Sequence, residues 1–120
     1  MNLNHYIEHT ILKAKATFSD IDIIINEAID NNFLGICIPP CYIKYAKEKL
    51  KDTNIKLVTV IGFPLGANDS DVKAFEAKKA IEEVTEKEIP RAAYEGVLTI
   101  DVDAQVESAQ EQEDTRWHQL

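Results

Sequence analysis

Apolar positions change their spacing along the chain in a way that predicts alternating helices and strands. Ile21, Ile24, Ile25, Ala28 and Ile29 fall at i, i+3, i+4, i+7 and i+8, the stripe of an amphipathic helix. Thr17 or Ser19 is placed to cap this helix, and Asn31-Asn32 to stop it. Phe33 to Ile38 is a short continuous apolar run closed by Pro39-Pro40, the pattern of a buried strand. Pro40 stands where a first-turn proline favours the next helix, Tyr42 to Leu50, with Ile43, Ala46 and Leu50 inward. Asp52-Thr53-Asn54 turns the chain into a second strand, Ile55 to Ile61. The loop Gly62-Phe63-Pro64-Leu65-Gly66 then leads into a third helix, from Ser70 to about Glu83. Strand, helix and strand within about 30 residues make a βαβ crossover, which is right-handed and builds parallel sheet. The expected class is therefore α/β.

Beyond Glu83 the composition changes. Residues 1–87 contain neither Arg nor Gln, whereas residues 88–120 contain Arg91, Arg116, every Gln and the single Trp117, and no Asn. Val97 to Val102 alternates like a half-buried strand, with Leu98, Ile100 and Val102 on one face. Asp103 to Asp114 is acidic and weakly patterned, as in a solvated helix or a frayed tail. The expected organisation is a first unit over 1–83 and a second segment over 84–120. The shift fits a junction, whether a fusion, a frameshifted end or an engineered chimera.

Length and charge narrow the picture. A complete (β/α)8 barrel needs about 250 residues, and this sequence has 120, 45% of them hydrophobic. It has room for a core but only for part of such a barrel. The formal net charge of −8 disfavours nucleic acid, which demands a basic face, and anionic membrane surfaces. No apolar run approaches the length of a membrane span. Met1 to Tyr6 has neither the basic segment nor the apolar core of a signal peptide. Cys37 and Cys41 do not form a disulfide framework, so reduced thiols and a cytoplasmic location are expected.

Two stretches carry a family resemblance. Ile7-Glu8-His9-Thr10-Ile11-Leu12-Lys13 and the loop Ile61 to Ala67 together resemble deoxyribose-phosphate aldolase, over about residues 1–83. The resemblance implies a TIM barrel, of which this chain would hold a partial set of βα units. It implies a lyase of the Schiff-base (class I aldolase) type, needing no cofactor and no metal. The complete enzyme converts 2-deoxy-D-ribose 5-phosphate reversibly to glyceraldehyde 3-phosphate and acetaldehyde. The family's imine-forming lysine lies on a late barrel strand, a second lysine on the next strand lowers its pKa, and an aspartate on the third strand moves protons. None of these strands is recognisable here, so no catalytic residue is assigned. The phosphate site of such barrels lies at the last two strands, which are missing as well.

What the resemblance carries over is the periphery of the substrate pocket: Glu8, Thr10 and Cys37. Glu8 stands where the family has an aspartate, and one extra methylene displaces the carboxylate by about 1 Å, enough to impair a catalytic network. The family often has Asn where Pro39 stands. Gly62, Pro64 and Gly66 match well but shape the loop.

The remaining features have plainer explanations. Lys44, Lys47, Lys49, Lys51, Lys73, Lys78 and Lys79 fall on solvated helix faces, and Lys56 begins its strand, away from the end where barrel sites gather. His5 and His9 are four apart on an expected helix, which is metal-ligand spacing, yet no convincing third ligand accompanies them beyond Glu8. Cys37-x-x-x-Cys41 is neither a zinc knuckle nor a redox motif. Asp69 and Asp71 at the start of the third helix complement its dipole and repel phosphate from the glycine loop. Pro90, after Glu88-Ile89, falls where the catalytic aspartate would follow; Asp101 or Asp103 could stand near that place only by accident. The chain alone is expected to be inactive. An open parallel sheet leaves edges and an apolar face to cover, so a homo-oligomer or a complementary barrel half is the expected partner, with a phosphorylated sugar only if the barrel is completed. The alternatives are a non-catalytic self-associating module, a chimera on an aldolase-derived scaffold, or a damaged gene product.

Overall fold

The structure, a computed structural model, describes residues 2–85 and 99–101. A 3-10 turn (Leu3–Tyr6) leads into strand β1 (Glu8–Thr10). Helix α1 (Phe18–Asn31), strand β2 (Gly35–Ile38), helix α2 (Ile43–Leu50), strand β3 (Lys56–Val60) and helix α3 (Ser70–Thr85) follow, and a short strand β4 (Thr99–Asp101) completes the described chain. β1, β2 and β3 are parallel neighbours in that order, and β4 adds antiparallel to β3. The described strands thus form an open α/β sheet rather than a closed ring.

The helices form where the apolar stripes predict them. Thr17, not Ser19, caps α1. Its hydroxyl accepts from the Asp20 N–H at 3.2 Å, and the Asp20 carboxylate accepts from the Thr17 N–H at 2.9 Å, a reciprocal capping box. Those bonds, led by the Thr17 backbone N–H, hold the Asp20 carboxyl below its ordinary value. Asn32 ends the helix in the left-handed region at φ 54°, and the Phe33 N–H donates to the Ala28 carbonyl at 3.0 Å. This closure uses Phe33, and the Leu34 N–H donates to the Asn4 carbonyl at 3.2 Å, so β2 starts at Gly35 rather than at Phe33. Ile43, Ala46 and Leu50 are the buried positions of α2, after a 3-10 turn that begins at Pro40.

The core lies between the helices and one face of the sheet. Ile36, Ile38 and Leu57 join Ile21, Ile24, Ile25, Ile43, Ala77 and Ile81 in one cluster. Each fully buried aliphatic side chain there contributes about 1.5–3 kcal/mol relative to exposure. Thr59 shares this face, fully buried, and donates to the Ile38 carbonyl at 2.7 Å. The neighbouring strand requires glycine at Gly35: a Cβ there would stand 2.5 Å from the Lys56 carbonyl oxygen, a contact only glycine avoids.

Two expectations change. His5 and His9 do not share the expected helix: Glu8–Thr10 is a third parallel strand, paired with Gly35, Ile36 and Cys37. The short N-terminal turn is set by Asn2, whose side chain accepts from the Asn4 N–H. His5 and His9 therefore lie on different elements and lose the helical spacing of a ligand pair. The strand expected over 97–102 is found at 99–101; its flanks, with Glu88 to Pro90 and the acidic tail, lie outside the described residues. Among the described residues, no helix is long and apolar enough to cross a membrane.

Candidate functional site

Parallel strands place their C-terminal ends at one rim of the sheet, where barrel sites gather. Thr10, Ile38 and Val60 end β1, β2 and β3, and the loops after them form the mouth. Register decides what the mouth contains. Thr10 pairs with Cys37, Cys37 with Val58, and Glu8 with Gly35. Since side chains alternate between faces, Glu8, Thr10, Cys37 and Val58 share the face turned away from the helices. His9, one residue off, faces the helices instead. Its Nε2 lies 3.5 Å from Glu27 and its ring packs against Phe33, centroids 5.2 Å apart and planes tilted by 54°. His5 Nε2 is bonded to the Asn32 side-chain amide at 2.9 Å.

The structure thus brings together Glu8, Thr10 and Cys37, residues that the sequence holds 27 apart (Thr10 to Cys37). Glu8 and Thr10 are exposed, and the Thr10 hydroxyl donates to the Glu8 carbonyl at 2.9 Å. Cys37 is buried. Burial pushes its thiol up; the nearby Glu8 charge adds to this, and a hydrogen bond with Thr10 opposes it. A thiol so held stays protonated at neutral pH and is a weak nucleophile. The trio can shape and polarise a pocket wall, but it offers no group ready to attack a carbonyl.

Imine formation needs a neutral amine, favoured by burial or by a cationic neighbour. No lysine among the described residues is buried. Lys13 and Lys15, in the loop after β1, are the lysines nearest the mouth in sequence and were passed over in the sequence reading. Lys13 is exposed, with Asp20 at 3.9 Å, the reverse of the setting an imine-forming amine requires. Lys51 is pushed up by its hydrogen bond to Glu48 and that residue's charge, and Lys49 by Tyr45 and Asp22. Lys56 lies at the start of β3. There a cleft of about 470 Å3 is lined by Lys47, Lys51, Lys56, Leu50, Ile55 and Val84, at the end of the sheet remote from the mouth.

The rim after β3 is fixed by its own helix. Gly62 and Gly66 have φ of 68° and 66°, a region that favours glycine. The Gly62 N–H donates to the Glu76 carboxylate at 2.7 Å, and the Lys73 ammonium donates to the Gly66 carbonyl at 2.8 Å. Phe63 and Leu65 are left exposed at the tip. Lys73 is half-buried against the loop rather than on the solvated face expected of it, and no role was expected of Glu76; the available signal was a base and an acid three apart in the first turns of the helix that the loop enters. Asp101, whose Cα partner is Val58, belongs to a strand running opposite to β3, and Asp103 lies outside the described residues.

No family model matches the chain. It is similar to deoxyribose-phosphate aldolase of Lactococcus lactis subsp. cremoris, 56% identical over 82 residues that make up 68% of this chain and 37% of that protein. It is also similar to the deoxyribose-phosphate aldolase of Mannheimia succiniciproducens, 57% identical over 79 residues, 66% of this chain and 35% of the relative. Among solved structures, the tetrameric deoxyribose phosphate aldolase from Aeropyrum pernix aligns with a TM-score of 0.64 at 33% identity, covering 68% of this chain and 35% of that one. The chain spans little more than a third of the length of the curated relatives it matches.

Proposed function

We propose that this chain, which resembles the N-terminal portion of deoxyribose-phosphate aldolase, is scaffold from that barrel without the imine chemistry. Glu8, Thr10 and Cys37 form one wall of the pocket in which the complete enzyme holds 2-deoxy-D-ribose 5-phosphate. The amine that would attack the sugar carbonyl, and the carboxylate that would move the proton, belong to strands with no counterpart among the described residues. The observation that carries this reading is the setting of the lysines: each one among the described residues is exposed or half-buried, and Lys49 and Lys51 are pushed towards the charged form. In this reading residues 84–120 are a non-family segment, and the protein is cytoplasmic.

Borohydride reduction in the presence of 2-deoxyribose 5-phosphate, read by intact mass, tests it. The expected result is the unmodified 13.5 kDa chain; a single lysine adduct would show an activated amine and overturn the proposal.

A second reading is a self-associating module without catalysis. It is favoured by the open sheet, in which the described strands give β1 only one neighbour, β2. Light scattering is expected to find a dimer or larger species; a monodisperse monomer at all concentrations would exclude this reading.

A further inference from the structure

The two sides of β3 are occupied in opposite senses. Towards β2 the pairing is parallel, Cys37 with Val58 and Ile38 with Thr59. On the outer side Val58, Thr59 and Val60 face Asp101, Ile100 and Thr99, antiparallel. A βα barrel is parallel throughout, and each crossover helix delivers its next strand beside the one before. α3 is the crossover helix that follows β3, so the outer edge of β3 is the place a barrel keeps for its next parallel strand. One row of N–H and C=O groups serves one partner strand.

We propose that β4 is an intramolecular cap on this edge. It fills the hydrogen-bonding row that another chain's strand would use, and it closes β3 to association with a second copy of this chain or with a complementing barrel portion. The inference rests on reading the chain as a barrel portion, because only then is the edge one that awaits a strand. The cap is short, with three residue pairs. It holds its place because it is tethered, and a tethered strand competes at an effective concentration of the order of millimolar. Closure of a parallel barrel requires both edges of the sheet; with β3 capped, the edges of the described sheet are β1 and the short antiparallel β4, and no all-parallel ring can form. A strand that caps without closing leaves the sheet folded and the mouth unfinished.

The test uses the full chain and two variants, Thr99→Pro and Ile100→Pro. Proline removes a ladder N–H, and because successive residues in an antiparallel pair alternate between bonded and non-bonded positions, one of the two strikes a bond. Hydrogen exchange is read at the β3 amides that point away from β2, and self-association by light scattering across a concentration series. In the unmodified chain those amides are protected; in the effective variant they exchange at least about tenfold faster while Ile36 and Ile38 stay protected. Self-association strengthens with the opened edge, the dissociation constant falling at least about tenfold. Unchanged exchange and unchanged association in both variants would overturn the cap. Should Ile36 and Ile38 lose protection, the unmodified chain decides alone. Interstrand nuclear Overhauser contacts between residues 58–60 and 99–101 support the cap, and their absence rejects it. None of these readings depends on imine trapping, so a trapped adduct would remove the scaffold proposal while leaving the edge pairing to be judged by exchange.

Discussion

The two faces of the sheet are made of different material. Towards the helices, Ile36, Ile38, Leu57 and Thr59 are all buried, and the one polar group among these side chains, the Thr59 hydroxyl, is satisfied by the Ile38 carbonyl. Towards the mouth, the same strands present Glu8, Thr10, Cys37, Lys56 and Val58, of which only Cys37 and Val58 are buried. Alternation along three short strands therefore separates what holds the fold from what a pocket would use. Changes on one face should cost stability, and changes on the other should alter chemistry.

The separation can be broken from either side. The largest effect is expected on the helix face. Ile38→Ala removes a fully buried side chain and should lower stability by about 2–5 kcal/mol, read as a lower urea midpoint at unchanged slope. Gly35→Ala tests the rule where it should fail. Its Cβ would point to the mouth side, yet it meets the backbone oxygen of Lys56 at 2.5 Å; a loss of about 1–3 kcal/mol is expected, and a neutral result would mean that β2 and β3 separate easily. Thr17→Ala lies on neither face and should cost about 1 kcal/mol through the lost cap. Asp20 adds a pH signature. Its folded value is depressed, so its contribution is present above the ordinary carboxylate range and is lost as pH falls through the folded value. The acid limb of the stability curve should therefore flatten in Asp20→Asn. The smallest change in stability is expected for Glu8→Gln. It should leave the melting temperature almost unmoved but shift Cys37 alkylation to lower pH. The shift is partial, because burial is the larger cause of the raised thiol and persists. An unmoved alkylation profile would separate Glu8 from Cys37.

How much was legible follows the same division. The stripe from Ile21 to Ile29 and the inward positions of α2 were readable because helical period is written in local spacing. β1 was not. Glu8-His9-Thr10 has no apolar alternation, and it is a strand because β2 offers it an edge, with the Gly35 N–H donating to the Ile7 carbonyl. The candidate pocket wall was legible residue by residue from the family resemblance, but its assembly was not. The meeting of Thr10 with Cys37 depends on strand register, and the upward push on the thiol depends on burial that register creates. Lys73 and Glu76 looked like ordinary charges of a solvated helix, because the backbone groups they hold belong to a loop whose path no local pattern dictates.

That loop has a consequence for transfer between proteins. Its two glycines are tied by side chains of the helix immediately following them, so both ties that hold the curve of the rim lie within a single strand–loop–helix unit. Residues 56–85, moved as a block into another barrel, should bring their rim shape with them, and Lys73 and Glu76 are the luggage that must travel along.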